Sequence, residues 1–185
     1  MSEQSEDPSV PDMLTPAERV ARMIRVDQAG EYGAVRIYQG QRAVLGKRGS
    51  DAALARMEEA ERKHLATFNA LMVERRVRPT LLQPLWHLAG FALGAGTALL
   101  GEKAAMACTV AVEEVIEAHY GDQADALAGG GETKLLHEIE TARAGEIEHR
   151  DEALASGARD APGYAGLTAA IKMGSRLAIW LSERV

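Results

Sequence analysis

A single cysteine, Cys108, leaves no partner for an internal disulfide, so these 185 residues must be held by packing, and a reducing compartment is expected. No long basic run offsets the formal net charge of -6, which argues against general nucleic-acid binding. The alternation of apolar and polar residues that marks half-buried strands is missing throughout. Residues 1–14 lack the apolar stretch of an export signal and are too acidic for an import presequence. They are expected to form a disordered acidic tail, and the missing presequence points to a bacterial chain or a trimmed mature form. From Pro79 to Gly101 there is no formally charged residue at all.

What is there reads as helix along almost the whole length, and an all-α four-helix bundle with additional helices is expected over residues 15–185, ferritin-like by the repeated Glu and Glu-x-x-His pattern its helices carry. Thr15-Pro16-Ala17-Glu18 joins a capping box to a proline at the first helical position, starting a helix that runs to about Leu45 before Gly46 and Gly49. Ser50 or Asp51 can cap a second helix running to about Arg76, which completes a hairpin over 15–77. A second hairpin spans 102–157, with helices from about Glu102 to Leu127 and from about Glu132 to Ser156, separated by Gly129-Gly130-Gly131. A last amphipathic helix over 164–183 places Leu167, Ile171, Gly174, Leu177 and Leu181 along one stripe.

Within the hairpins one short pattern occurs twice, Glu61-Arg-Lys-His64 and Glu146-Ile-Glu-His149. Three residues apart on a helix, a Glu and a His share a face and can grip one metal ion. Chance supplies about half a Glu-x-x-His match in a chain of this composition, so the pairs alone decide little. Their setting decides more. Glu31 and Glu113 each lie about thirty residues upstream of a pair, and the offsets Glu31 to Glu113 and Glu61 to Glu146 are 82 and 85 residues, the signature of a duplicated hairpin. A Glu from each of two helices and Glu-x-x-His from the other two is the known ligand set of two-metal helical bundles.

Competing readings stand beside this one. A lone helical Glu is usually solvated, and His64 and His149 could be satisfied core histidines. Glu114 and Glu117 compete with Glu113, as Glu148 and Glu152 compete near His149. Asp27, one turn before Glu31, could orient a ligand imidazole or lie exposed. Carboxylate-rich ligation without thiolate favours iron or manganese over structural zinc.

The uncharged 79–101 segment approaches the length of a membrane span, but a crossing there would put the two halves of the metal set on opposite sides of a bilayer. It is therefore either a crossover buried in the bundle or an apolar surface facing the membrane interface. Its Gly94-Ala-Gly-Thr97 does not complete a dinucleotide-binding fingerprint and follows no strand.

Asp27-Gln-Ala-Gly-Glu31-Tyr-Gly-Ala34, Glu58-Glu-Ala-Glu-Arg-Lys-His64, Glu113-Glu-Val-Ile-Glu-Ala-His-Tyr120 and Glu146-Ile-Glu-His149 together resemble the demethoxyubiquinone hydroxylases, di-iron monooxygenases of ubiquinone biosynthesis. The resemblance runs from about Arg19 to Val185 and includes the uncharged segment. It implies two iron ions on Glu31, Glu61, His64, Glu113, Glu146 and His149, with Glu61 and Glu146 bridging. It also implies that His119 and Tyr120 serve the quinone pocket and electron delivery; by position alone Tyr120 could instead be a buried hydroxyl on a ligand carboxylate, and His119 an exposed histidine. The implied reaction adds one oxygen atom of O2 to the quinone ring, with NADH or the quinol as electron donor. The implied partners are a polyprenyl quinone, O2 and a membrane surface, with a homo-oligomer or a ubiquinone-biosynthesis complex open, and the implied place is the cytoplasmic face of the cell's inner membrane, peripherally bound. The alternative function is a ferritin- or rubrerythrin-like protein that stores iron or scavenges peroxide with the same ligands.

Overall fold

The computed structural model describes residues 14–46 and 51–185. The expected tail, apart from Leu14, lies outside the described residues, as do Gly49 and Ser50. The described chain forms six α-helices and one 3-10 turn, with no strand among them.

Helix α1 (Pro16–Leu45) begins at the expected box: Thr15 Oγ1 accepts from the Glu18 amide at 3.3 Å, and Glu18 Oε2 accepts from the Thr15 amide at 2.7 Å. Gly46, at φ 58°, ends it. Helix α2 (Asp51–Arg75) stops one residue before the expected end because Arg76 turns left-handed at φ 53°. Its buried positions Leu54, Met57, Glu58, Glu61, Phe68, Leu71 and Met72 follow helical spacing, so two carboxylates sit inside an otherwise apolar stripe. Helices α4 (Glu102–Leu127) and α5 (Thr133–Ala155) form the second hairpin. α2 meets α5 and α1 meets α4, which closes the four-helix arrangement. The small residues Ala104, Ala105, Ala107 and Ala111 are buried on α4, and this lets its neighbours come close.

The uncharged segment is itself a helix, α3 (Gln83–Leu99), and Pro84 sits harmlessly in its first turn. It packs along α1 through glycine. A Cβ on Gly94 would overlap the Ile37 carbonyl, one on Gly40 would overlap the Phe91 carbonyl, and one on Gly90 would stand 2.9 Å from the Gly33 carbonyl oxygen. The four glycines that interrupt the apolar run are thus partly a packing surface. Neither expectation for the segment holds alone. One face is buried on α1, while Leu81, Leu85, Leu88, Leu99 and Leu100 on the other are 50–75% exposed. No helix among the described residues is long and apolar enough to cross a membrane.

After a 3-10 turn (Ala158–Asp160), α6 (Tyr164–Ser182) packs on α4. Its expected single stripe divides. Leu167 and Ile171 join the core, whereas Leu177, with Met173 and Trp180, is exposed. The chain is an all-helical, ferritin-like bundle.

Candidate metal centre

Each of the four bundle helices delivers side chains to one buried point: Glu31 from α1, Glu61 and His64 from α2, Glu113 from α4, and Glu146 and His149 from α5. Their atoms fall into two overlapping groups, Glu31/Glu61/His64/Glu146 and Glu61/Glu113/Glu146/His149, and within each group every ligand atom lies within 4.8 Å of the others. Glu61 and Glu146 belong to both, which is the position of a bridging carboxylate. His64 Nδ1 is 3.6 Å from Glu31, 3.7 Å from Glu61 and 3.7 Å from Glu146, while His149 Nδ1 is 2.7 Å from Glu61. The rival acids point elsewhere. Glu114 pairs with Lys172, Glu117 with Arg150 and Glu152 with Arg56, and Glu148 is exposed.

Burial makes this set costly unless a cation joins it. The four carboxylates are no more than 1% exposed. Glu31 Oε2, both oxygens of Glu61 and of Glu146, Glu113 Oε2, and Nδ1 of both histidines have no hydrogen-bond partner within the protein. Buried polar atoms are almost always satisfied, and these eight, the majority of the unsatisfied buried side-chain atoms among the described residues, are the ones a metal pair would take. The donor set therefore fits two divalent ions. Without them, burial and then the Glu61 charge raise the pKa of Glu31 well above the usual carboxylate range. Burial and then the charges of Glu61 and Glu113 do the same to Glu146. Glu61 goes the other way, because the adjoining imidazoles of His149 and His64 together outweigh its burial. His64, in spite of burial, is pushed up to about 10 by Glu31 and Glu61.

Two tyrosines brace the carboxylates across the hairpins. Tyr38 on α1 donates to Glu113 Oε1 on α4 at 2.5 Å, and Tyr120 on α4 donates to Glu31 Oε1 on α1. Each tyrosine follows its helix's own Glu by seven residues, so the duplication extends beyond the ligands. Sequence reasoning gave Tyr38 no role, although the repeated Glu-to-Tyr spacing of two helical turns was readable. The repeat reaches one layer further: Gln41 bonds to the Ala105 carbonyl at 3.0 Å and to Thr109 Oγ1 at 3.5 Å, and its counterpart Gln123 bonds to Asp27 Oδ1 at 2.8 Å.

Asp27 is neither exposed nor partnered with a ligand imidazole. It is 2% exposed, and His119 Nε2 lies 3.1 Å from its Oδ1. Burial raises the Asp27 pKa; His119 is also raised, since the Asp27 hydrogen bond and charge outweigh its burial. His119 is not exposed either. It lines a polar pocket with Arg19, Arg22, Asp122, Gln123 and Glu183. A separate apolar cavity of about 300 Å³ lies among α1, α3, α4 and α6, with Ala29, Ala34, Trp86, Leu93, Ile116 and Ile179 on its walls. Gly30 and Val112, also on that wall, are the immediate neighbours of Glu31 and Glu113. Val26 stands between the two pockets and lines both.

Residues 18–182 match the family described as ubiquinone biosynthesis protein COQ7. The chain is 60% identical over 177 residues to the 3-demethoxyubiquinol 3-hydroxylase of Rhodospirillum rubrum, covering 95% of this chain and 83% of that one. It is 54% identical over 169 residues to the human mitochondrial NADPH-dependent 3-demethoxyubiquinone 3-hydroxylase, covering 90% and 78% of the two chains. The 5-demethoxyubiquinone hydroxylase of Saccharomyces cerevisiae mitochondria is 44% identical over 180 residues, with 89% and 77% covered.

Proposed function

The chain belongs to the COQ7 family of ubiquinone biosynthesis proteins, and from that premise we propose that it is a di-iron hydroxylase acting on the ring of a demethoxyubiquinone or its quinol. The supporting observation is the convergence of six ligand side chains, with eight unsatisfied donor atoms between them, beside an apolar cavity of a size to receive a quinone ring. Glu31, Glu61, His64, Glu113, Glu146 and His149 would hold the two ions, with Glu61 and Glu146 shared between them. When bound, the ferrous pair supplies O2 activation and electrons for the transfer of one oxygen atom to the ring.

The chain's own residues set the conditions for that transfer. Tyr38 and Tyr120 donate to the non-bridging carboxylates Glu113 and Glu31, fixing which oxygen of each stays free for a metal. The small residues Gly30, Gly33 and Ala34 leave room for a flat ring along α1, and Leu93, Ile116 and Ile179 keep water from it. We assign His119 to the polar side of the centre, where water, protons or a reductant can approach without passing the quinone; the donor is a reduced nicotinamide nucleotide, NADH or NADPH, or the quinol itself. Tyr120, bonded to Glu31, serves as a ligand brace.

The exposed leucines on and beside α3, taken together with Met173, Leu177 and Trp180 of α6, the other helix that walls the apolar cavity, would make an apolar ridge suited to the interface of a bilayer. Peripheral association through this ridge, on the cytoplasmic face of the inner membrane, would let a polyprenyl tail remain in lipid while the ring enters the cavity. Each buried methylene of such a tail contributes about 0.8 kcal/mol.

The test is direct. Iron-loaded protein given demethoxyubiquinol, reductant and 18O2 should yield a product heavier by one labelled oxygen in mass spectrometry. A fully loaded ferrous protein that consumes O2 without labelling the ring would favour iron storage or peroxide scavenging instead.

A further inference from the structure

The ring nitrogen of a metal-bound histidine that faces away from the metal is normally anchored by donating to a carboxylate or a carbonyl. His64 lacks that anchor: no protein group accepts from its Nε2 among the described residues, and it is the most exposed of the six proposed ligands at 16%. Something else must keep its Nδ1 near-equidistant from Glu31, Glu61 and Glu146. The candidate stands directly behind the ring. A Cβ built on Gly145 of α5 would lie 2.7 Å from His64 Cε1 and 3.1 Å from Nε2. The first distance is shorter than real Cβ contacts reach, and the second demands that the ring move. Gly145 has an ordinary helical backbone, with no positive φ to explain a glycine there, and it sits mid-helix where glycine is otherwise unfavourable. In the duplicated hairpin the corresponding residue is Ala60, immediately before Glu61, as Gly145 is immediately before Glu146. The two halves of the centre thus differ at the residue preceding the shared carboxylate, and the two imidazoles differ as well: His149 Nδ1 is 2.7 Å from Glu61, whereas His64 is about an ångström farther from its nearest carboxylate.

We propose that Gly145 is a positioning residue for the His64 ligand, the bare α5 backbone acting as the stop that fixes the imidazole in place of a hydrogen bond. The inference rests on the metal-centre reading above. It limits position 145 to hydrogen as its side chain, and it makes the His64 metal position the roomier and more easily disturbed of the two.

The experiment titrates metal-free protein with cobalt(II) under anaerobic conditions and follows stoichiometry and ligand-field absorption for the wild type, Gly145→Ala and Gly96→Ala. Gly96 is a helical glycine with nothing near its missing Cβ, and so serves as the control. Two ions should bind to the wild type and to Gly96→Ala. Gly145→Ala should hold one ion as before and bind the second at least tenfold more weakly, with helical circular dichroism unchanged and the absorption bands of the remaining ion preserved. Two ions at wild-type affinity in Gly145→Ala would overturn the proposal. If Gly145→Ala folds poorly, its melting is compared in the presence and absence of His64→Ala. Loss of the defect when the imidazole is removed supports the proposal, and an equal defect in both backgrounds overturns it. A wild-type protein that takes no cobalt or iron would sink the metal-centre reading itself, while the melting comparison on the metal-free chain still decides whether Gly145 and His64 are coupled.

Discussion

Glu146→Gln should make the metal-free protein more stable and the metal-loaded one less so. In the wild type Glu146 is fully buried, has two oxygens without partners, and faces the charges of Glu61 and Glu113. Exchanging buried ionic pairs for apolar groups ranges from neutral to a gain of about 1–4 kcal/mol, and removing the repulsion on Glu146 while keeping its shape is expected to gain about 2 kcal/mol. For a chain of this size about 1 kcal/mol moves the midpoint by about 2–4 °C, giving a rise of about 4–8 °C. The gain depends on pH in a defined direction. The folded pKa of Glu146 lies above its ordinary value of 4.5, so folding favours the protonated acid. That contribution is complete below the ordinary value and is lost as pH rises through the folded one. The stability gap between the variant and the wild type should therefore widen as the solution becomes more alkaline. Thermal unfolding followed by far-ultraviolet circular dichroism, with chelator and then with ferrous iron under argon, reads both halves. Iron should raise the wild type strongly and the variant little, since a shared ligand is gone. If the metal-free variant melts at or below the wild type across the whole pH range, the carboxylate cluster is not the frustrated element described here.

Tyr38→Phe removes the brace on Glu113 and should weaken metal binding by about 10- to 100-fold while leaving the fold intact, as measured by competition with a chromophoric chelator. Replacing Leu81, Leu85 and Leu88 together with Ser should abolish flotation with liposomes without lowering the melting temperature, because all three are already at least half exposed; unchanged flotation would reject the ridge as a membrane contact. Gly94→Ala forces a Cβ into the Ile37 carbonyl and should cost about 1–3 kcal/mol in denaturant unfolding, against a small gain at an open helical glycine such as Gly96. His119→Gln leaves Asp27 buried without its counter-charge and should cost about 1–3 kcal/mol. Because the folded pKa of His119 is raised, that loss should be largest below its ordinary value of 6.5 and shrink as pH climbs through the folded one, as melting curves across pH would show.

The helices were legible because their punctuation is local: the Thr15 box, Gly46, the 129–131 glycines and Gly157 mark ends that backbone chemistry alone dictates. The six proposed ligands were legible because duplication repeats residue type as well as spacing. What escaped was set by packing between distant segments. No spacing rule says that Asp27 meets His119, 92 residues away, and not a ligand imidazole. Nor does a hydrophobic stripe say which of its members a neighbouring helix will cover, so Leu177 was grouped with Ile171 although only the second is buried. The choice between a buried and an exposed α3 was undecidable from composition, because glycines on one face and leucines on the other satisfy both at once.

The glycine seam between α1 and α3 has a mechanical consequence. With Gly40, Gly90 and Gly94 bringing the two backbones together, main-chain atoms stand in direct contact at three points, and sliding or rolling there would drive them into one another. The leucines of α3 are in this way rigidly mounted on the rod that also carries Glu31. The height of the centre above whatever plane those leucines rest on is then a fixed dimension of the molecule, set by three missing methyl groups.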